Sequence, residues 1–95
     1  MIPRNELDKA VEIAKKYDVG ALYLIGSALH KEPDEIRDYD FGVKDVPSGK
    51  FFKFYGELIR VMSKNIDLID LSGELTKFKS IVLREGKLIY DKTAA

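Results

Sequence analysis

Two aspartates, Asp38 and Asp40, stand one residue apart in the segment DYDFGV (38–43). Its alternation of polar and apolar residues predicts a strand, so both carboxylates lie on one face with Cα atoms about 6.5–7 Å apart. Carboxylates at that spacing can converge on one hard cation, or flank two cations ~3.5–4 Å apart as in two-metal phosphoryl-transfer sites. The alternative for an isolated pair is a strand whose polar face is simply solvated.

Gly26 and Ser27 follow the apolar run ALYLI (21–25), and ten residues separate them from Asp38. Glycine lets a ligand approach the backbone closely, and a helix that begins here would attract phosphate to its N-terminus. The alternative is a plain strand-to-helix turn with serine as its cap. Together with the two acids, the pattern favours a site for phosphate and metal.

A third apolar segment, NIDLIDL (65–71), contains two further acids, Asp67 and Asp70. The alternation of a strand does not by itself say which of them faces the first pair. A carboxylate in mid-strand needs a partner or a metal more than one at a strand end does, because it is less well solvated. This reasoning favours Asp67.

The elements that must position these residues alternate along the chain. Apolar spacing and capping residues predict a helix over 5–17 with Asn5 as its cap, a short helix over 27–31, and strands over 21–25, 38–43, 65–71 and 87–91. They also predict helices over 49–64 and 73–85. The last is capped by Ser72, stopped by Gly86, and faces inward with Leu75, Phe78, Ile81 and Val82. The order α-β-(α)-β-α-β-α-β predicts an α/β (α+β) fold, a small mixed β-sheet with helices packed on it.

Composition limits the classes of protein that fit. The 95 residues predict a single domain, 1–95, and the 16 basic and 16 acidic side chains cancel, so no global field favours nucleic acid or an anionic membrane. The absence of cysteine excludes disulfides, thiolate nucleophiles and Cys-based zinc sites. No apolar run approaches the ~18 residues of a membrane helix, and we expect a cytoplasmic location.

The combination of Gly26-Ser27, DYDF (38–41), the DLI of the third strand (67–69) and IVLREGKLIY (81–90) resembles the polymerase-beta-like nucleotidyltransferase superfamily. The resemblance extends over nearly the whole chain. It is strongest to the minimal nucleotidyltransferases, the MNT proteins that are often paired with HEPN proteins. It implies the nucleotidyltransferase fold.

The resemblance also implies an activity: Mg²⁺-dependent transfer of a nucleoside monophosphate, AMP from ATP or the equivalent from another NTP, to a hydroxyl of a partner protein. Gly26 and Ser27 would bind the nucleotide triphosphate. Asp38, Asp40 and Asp67 would be both the metal ligands and the catalytic residues, with Asp67 helping to activate the hydroxyl. The implied role is that of an antitoxin to a HEPN-type toxin.

The sequence departs from the family pattern at ALHK (28–31), where a basic residue and an Arg-Gly pair often stand, and at Arg37, where serine is common. These departures leave two alternatives open. One is a binding module that neutralises a partner toxin by contact with weak or absent catalysis. The other is a nucleotide- or metal-sensing domain. His30, the one histidine, either contacts phosphate or is a solvated loop residue.

The stretch FFKFYGELIRVM (51–62) carries apolar residues around more than one helical face. It is either a deeply buried helix or one with an exposed hydrophobic patch. We predict a patch that mediates association, with a helical HEPN-like partner or with a second copy in a homodimer. A chain this small has no room for the helical domain that presents the acceptor in larger nucleotidyltransferases. We expect neither a membrane partner nor direct binding of nucleic acid.

Overall fold

In a computed structural model, which describes residues 1–94, helices and strands alternate in the predicted order. The helices are α1 (Arg4–Lys16), α2 (Ser27–His30), α3 (Phe51–Val61) and α4 (Lys77–Glu85). The strands are β1 (Ala21–Ile25), β2 (Asp38–Lys44), β3 (Asn65–Asp70) and β4 (Lys87–Asp91), and single 3₁₀ turns occupy Pro33–Glu35 and Lys92–Ala94. Within residues 1–94, no helix has the length and apolar character needed to cross a membrane.

The four strands form one mixed sheet in the order β3-β2-β1-β4. β1 runs antiparallel to both β2 and β4, whereas β2 and β3 are parallel. The parallel pair follows from the connection through α3, because a chain must cross over the sheet to return in the same direction. The predicted fold class, a small mixed sheet with helices packed on it, is confirmed.

The core lies between one face of the sheet and the layer formed by α1 and α3. The alternation predicted for β2 holds, since Tyr39, Phe41 and Val43 are all buried on this face. They belong to one cluster with apolar residues of the two helices and of β1: Ala10, Ile13, Ala14, Phe54, Leu58, Leu22 and Leu24. Packing of α1 and α3 leaves the polar positions of β2 on the opposite face of the sheet.

The opposite face is only partly covered. A continuous apolar run such as that of β1 is typical of a strand covered on both faces, but Tyr23 and Ile25 are only half-buried. The end of α4 approaches this face at Gly86, where an added Cβ would lie 3.7 Å from Ile25 Cγ1. The uncovered part of the face is therefore open to ligands.

The first helix begins one residue earlier than predicted. Asn5 lies inside α1, and the cap position is held by Pro3, whose side chain makes no capping bond. Proline is compatible with this position because its fixed φ suits the start of a helix and its missing N–H is not needed there. The predicted cap was wrong, although the helix itself is confirmed.

The third helix is shorter than the predicted 49–64. Gly49 has φ +78°, a left-handed conformation that cannot belong to a right-handed helix. At the other end Met62 is extended, with ψ 150°, and leads directly into β3.

The fourth helix begins at Lys77, not at 73, and the predicted Ser72 cap was wrong. Gly73 has φ +80°, which interrupts the helix, and Thr76 is the actual cap, accepting a hydrogen bond from the Lys79 N–H at 3.1 Å. The hydroxyl of Ser72 instead accepts from the Asp45 N–H at 2.6 Å. Gly86 ends the helix as predicted.

The predicted inward face of α4 was also largely wrong. Only Val82 is buried, whereas Leu75, Phe78 and Ile81 are exposed. Helical periodicity identifies an apolar stripe but not the surface that covers it. In this chain the rest of the fold covers only Val82 of the predicted stripe.

Candidate functional site

Asp40 and Asp67 lie side by side on adjacent strands. In the parallel register of β2 and β3, Asp40 is aligned with Asp67, so both side chains are on the same face of the sheet. Asp38 is two residues earlier on β2 and therefore shares that face. The structure thus brings the three aspartates together on the face opposite α1 and α3.

Asp70, the other candidate on β3, lies elsewhere. It is aligned with Val43, three residues farther along the sheet than Asp40. Its carboxylate accepts a hydrogen bond from the Ser72 N–H at 2.9 Å, which fixes the turn after β3. The choice of Asp67 over Asp70 as the neighbour of the first pair agrees with the register.

Gly26 brings the end of β1 against the acids. Its backbone has φ +62° and ψ −138°, a combination that residues with a Cβ rarely adopt. A Cβ at this position would also lie 3.0 Å from Asp40 Oδ2. Glycine is therefore required twice, by the conformation of the turn and by the close approach of the Asp40 carboxylate.

Ser27 begins a helix of one turn, α2, and is half-buried. The cap of this helix is Gly26 and not Ser27, so the interpretation of Ser27 as a capping residue was wrong. The first amides of a helix have no acceptor within it, so the N–H groups of Ser27 and Ala28 point outward from the helix start. His30 is the last residue of α2 and is exposed.

The three acids repel one another, and this repulsion changes the pKa of Asp40. Burial raises the pKa of Asp40, and the charge of Asp67, hydrogen bonding with that carboxyl and the charge of Asp38 raise it further. The charged side chains that act on Asp40, those of Asp67 and Asp38, are both acidic. A half-buried carboxylate with only acidic neighbours is an environment that a bound cation stabilises.

The donor set fits a hard cation. Magnesium prefers carboxylate oxygens and keeps positions open for phosphate, and three aspartates on one face supply such oxygens. Within residues 1–94, no three His, Cys, Asp or Glu side chains form a ready-made metal cluster. A bound ion would therefore require the carboxylates of Asp38, Asp40 and Asp67 to converge from their present positions.

Lys64, a residue that sequence reasoning missed, holds the loop that leads into the acidic strand. Its ammonium donates to the carbonyl oxygen of Pro33 at 2.7 Å and to that of Ile36. It also lies 5.9 Å from the centre of the Tyr39 ring. Lys64 precedes β3 directly, so one side chain fixes the start of β2 relative to β3.

Glu6 of α1 contacts the same strand on the face of the sheet opposite the acids. It is buried, and its carboxylate accepts hydrogen bonds from the Tyr39 hydroxyl, from the Ser63 N–H at 2.7 Å and from the Ser63 hydroxyl at 2.9 Å. Burial acts to raise the pKa of Glu6, but these hydrogen bonds outweigh it and lower the pKa. A glutamate at the first turn of an amphipathic helix gave no sequence signal for this role.

The acids do not line either of two grooves on the surface. A groove of about 590 Å³ lies between α1 and β4, and one of about 430 Å³ lies beside Asp45 and Lys92. The candidate site is instead shallow, with Asp67 exposed and Asp38 and Asp40 half-buried. A substrate would thus bind across the open face of the sheet.

Comparisons with known proteins agree with the fold. A family model described as polymerase beta, nucleotidyltransferase, matches residues 8–95. No curated protein matches the chain significantly in sequence.

Three solved structures illustrate the structural similarity. The toxin-antitoxin MntA-HepT matches with a TM-score of 0.70 at 16% identity, covering 97% of this chain and 75% of that chain. A toxin-antitoxin structure with AMP-PNP matches with a TM-score of 0.69 at 19% identity, covering 93% and 75%. A tri-AMPylated Shewanella oneidensis HEPN toxin in complex with MNT antitoxin matches with a TM-score of 0.69 at 17% identity, covering 96% and 74%. At these identities the similarity establishes a shared fold.

Proposed function

The chain belongs to the polymerase beta nucleotidyltransferase family, and we propose that it transfers AMP from ATP to a hydroxyl group of a partner protein in a Mg²⁺-dependent reaction. The observation that carries the proposal is the alignment of Asp40 with Asp67 on one face of the sheet, with Gly26 against the Asp40 carboxylate. Family membership alone would leave the site open, whereas this arrangement supports specific residues for it.

The reaction forms one bond and breaks one. The oxygen of the acceptor hydroxyl bonds to the α-phosphorus of ATP, and the bond from that phosphorus to the oxygen bridging to the β-phosphate breaks, so pyrophosphate leaves. The hydroxyl proton goes to a base, a role that we assign to Asp67 because it is the exposed acid of the three. Positioning and charge stabilisation contribute most of the catalysis in such transfers.

Asp38, Asp40 and Asp67 would hold the magnesium, since they are the carboxylates gathered on this face. When bound, Mg²⁺ neutralises charge that develops on the phosphates. Gly26 would let the triphosphate approach the backbone, and the Ser27 hydroxyl and N–H would donate to phosphate oxygens.

The acceptor that we propose is a helical protein of the HEPN type, which would make this chain an antitoxin. Two of the similar structures support this choice: one contains AMP-PNP, and the other contains an AMPylated HEPN toxin with its MNT antitoxin. The proposed site for ATP, the donor of AMP, lies on an open face of the sheet. The acceptor hydroxyl would therefore come from another molecule.

The test is transfer of label from ATP labelled at the α-phosphate to a co-expressed HEPN-type partner. Labelled partner is expected with Mg²⁺ and the unaltered chain, and no label is expected with EDTA, Asp38→Asn or Asp40→Asn. Exposed Asp34→Asn, outside the acid group, is the matched control and should transfer normally. Undiminished transfer by the Asp40→Asn variant would refute the proposal.

A second function, neutralisation of the partner by contact alone, is favoured by the residues that follow Ser27. The segment ALHK (28–31) provides no arginine for the triphosphate, and α2 is only one turn long. If the Asp40→Asn variant still suppresses the toxicity of the partner in cells, contact is sufficient. If suppression is lost although the complex still forms, transfer is the mechanism.

A further inference from the structure

The outer face of α3 exposes large apolar side chains that the core does not use. Phe52 is 81% exposed and Ile59 is 55% exposed, whereas Phe54 and Leu58 are buried on the opposite face of the same helix. Phe52 and Ile59 are seven residues apart, so they lie on one stripe of the helix surface. The predicted exposed patch is thus present on α3.

Gly56 lies on this stripe between the two apolar side chains. Apart from its two chain neighbours and the backbone of its own helix, a Cβ built on Gly56 would have no atom within 4 Å, so the fold of this chain would accept alanine there. Glycine inside a helix is less stable than alanine, so nothing in the described intramolecular contacts accounts for it. The missing side chain leaves a shallow notch on the helix surface between Phe52 and Ile59.

The charges around the stripe indicate the kind of partner. Lys53 and Arg60 border the stripe, Lys50 precedes the helix, and Lys16 of α1 lies next to it. The one acid within Phe51–Val61 is Glu57, which accepts hydrogen bonds from Lys16 and from a tyrosine hydroxyl. Four basic side chains against one acid make this surface positive, although the whole chain is neutral.

The positive charge of this surface favours some binding partners over others. A second copy docking through the same face would bring two positive surfaces together, which electrostatic repulsion opposes. Nucleic acid would match the charge but would leave Phe52, Ile59 and the notch without a complementary apolar surface. An amphipathic helix with an apolar ridge and acidic flanks matches both features.

We propose that the α3 outer face, formed by Phe52, Lys53, Gly56, Ile59 and Arg60, docks an amphipathic, acid-flanked helix of another protein. The face lies on the side of the sheet opposite the three aspartates, so a helix bound there leaves the acids open. Docking is therefore separate from nucleotide transfer, and it holds whether or not the chain is an active transferase.

Fluorescence anisotropy with two synthetic helical peptides tests the charge requirement. Both peptides carry the same leucine ridge, and their flanking positions are glutamate in one and lysine in the other. The glutamate peptide is expected to bind at least about tenfold more tightly than the lysine peptide, and added salt should weaken its binding.

Three variants test the location. Phe52→Ala should weaken binding of the glutamate peptide by about tenfold, as loss of a central aromatic anchor does. Gly56→Ala should raise the melting temperature of the free protein and yet weaken peptide binding, a pair of effects that general damage to the fold does not produce. Phe78→Ala removes another exposed phenylalanine, 60% exposed on α4, and should bind the peptide normally.

Several outcomes would overturn the proposal. They are equal binding of the two peptides, absence of binding, or binding that Phe52→Ala and Gly56→Ala leave unchanged. Sedimentation that detects a dimer abolished by Phe52→Ala would assign the face to a second copy. Binding to phosphatidylserine vesicles without binding to the glutamate peptide would assign it to a membrane surface.

Discussion

At the scale of single residues, Asp40 is the position where stability and chemistry oppose each other. Its carboxylate is half-buried beside Asp67 and against Gly26, and its pKa is raised by burial first and then by the neighbouring acids. A raised carboxyl pKa means that the folded state favours the protonated form. The corresponding stability is present below the ordinary pKa and is lost as pH rises through the raised value.

Asp40→Asn is therefore expected to stabilise the metal-free protein at neutral pH. The gain should be about 1 kcal/mol or less, because solvent screens a half-exposed carboxylate. Urea denaturation in EDTA measures it, and the gain should shrink at acidic pH, where Asp40 of the unaltered protein is protonated. A variant less stable than the unaltered chain at neutral pH would contradict the assigned repulsion.

The pKa of Glu6 is shifted in the opposite direction to that of Asp40. Its pKa is lowered by hydrogen bonds from Tyr39 and Ser63 that outweigh the effect of burial. The stability that it contributes is present above its ordinary pKa and is lost as pH falls through the lowered value.

Glu6→Gln should cost about 1–3 kcal/mol at neutral pH, since a buried carboxylate with three donors is replaced. The difference from the unaltered protein should diminish as pH falls below the pKa of folded Glu6. Denaturation curves across acidic pH measure this trend, with exposed Glu12→Gln on the same helix as the control. A pH-independent loss would show that packing, and not the charge, is responsible.

At the scale of elements, the acidic strand depends on the segments that precede it and that lie beside it. Lys64 joins the start of β3 to the loop before β2 through the carbonyl groups of Pro33 and Ile36. This connection holds the 3₁₀ turn that precedes β2 against the start of β3, and so helps to align Asp38 and Asp40 with that strand.

Lys64→Met should increase amide hydrogen exchange over Asp38–Asp40 by about tenfold or more, equivalent to ~1.4 kcal/mol of local stability. Lys79→Met is the matched control: it removes a comparable bond, from Lys79 to the Ser72 carbonyl oxygen at 2.6 Å. It should loosen the segment before α4 and leave β2 unchanged. Equal exchange over Asp38–Asp40 in the Lys64→Met variant and the unaltered chain would show that the sheet alone fixes the strand.

At the scale of the whole molecule, the sheet separates two surfaces. One face carries the aspartates and is largely open, whereas the other is covered by α1 and α3, with the α3 outer face pointing away from the sheet. Sites on opposite faces of the sheet are expected to act largely independently.

Phe52→Ala should therefore leave the rise in melting temperature caused by ATP and Mg²⁺ unchanged, while Asp40→Asn should abolish that rise. The measurement is thermal denaturation of each variant with and without the two ligands. A smaller ligand-induced rise in the Phe52→Ala protein would mean that the two faces are coupled.

The sequence by itself determined the order of elements and the alternation of β2, because these depend on local periodicity. Residue chemistry also led to the hypothesis that Asp38, Asp40 and Asp67 form one acid group. It also identified the apolar excess of α3, since an apolar residue is visible wherever it points. The starts of α3 and α4 were predicted too early, because Gly49 and Gly73 adopt left-handed conformations that composition alone does not reveal.

Tertiary structure alone decided which surfaces are covered and which side chains meet. Strand register aligns Asp67 with Asp40. Contacts between residues distant in sequence decide the roles of Lys64 and Glu6 and the exposure of Leu75 and Phe78. Periodicity specifies that a helix has an apolar side, but not whether this chain or another molecule covers it. The physical reason is that burial is a property of the packed elements together and not of any one segment.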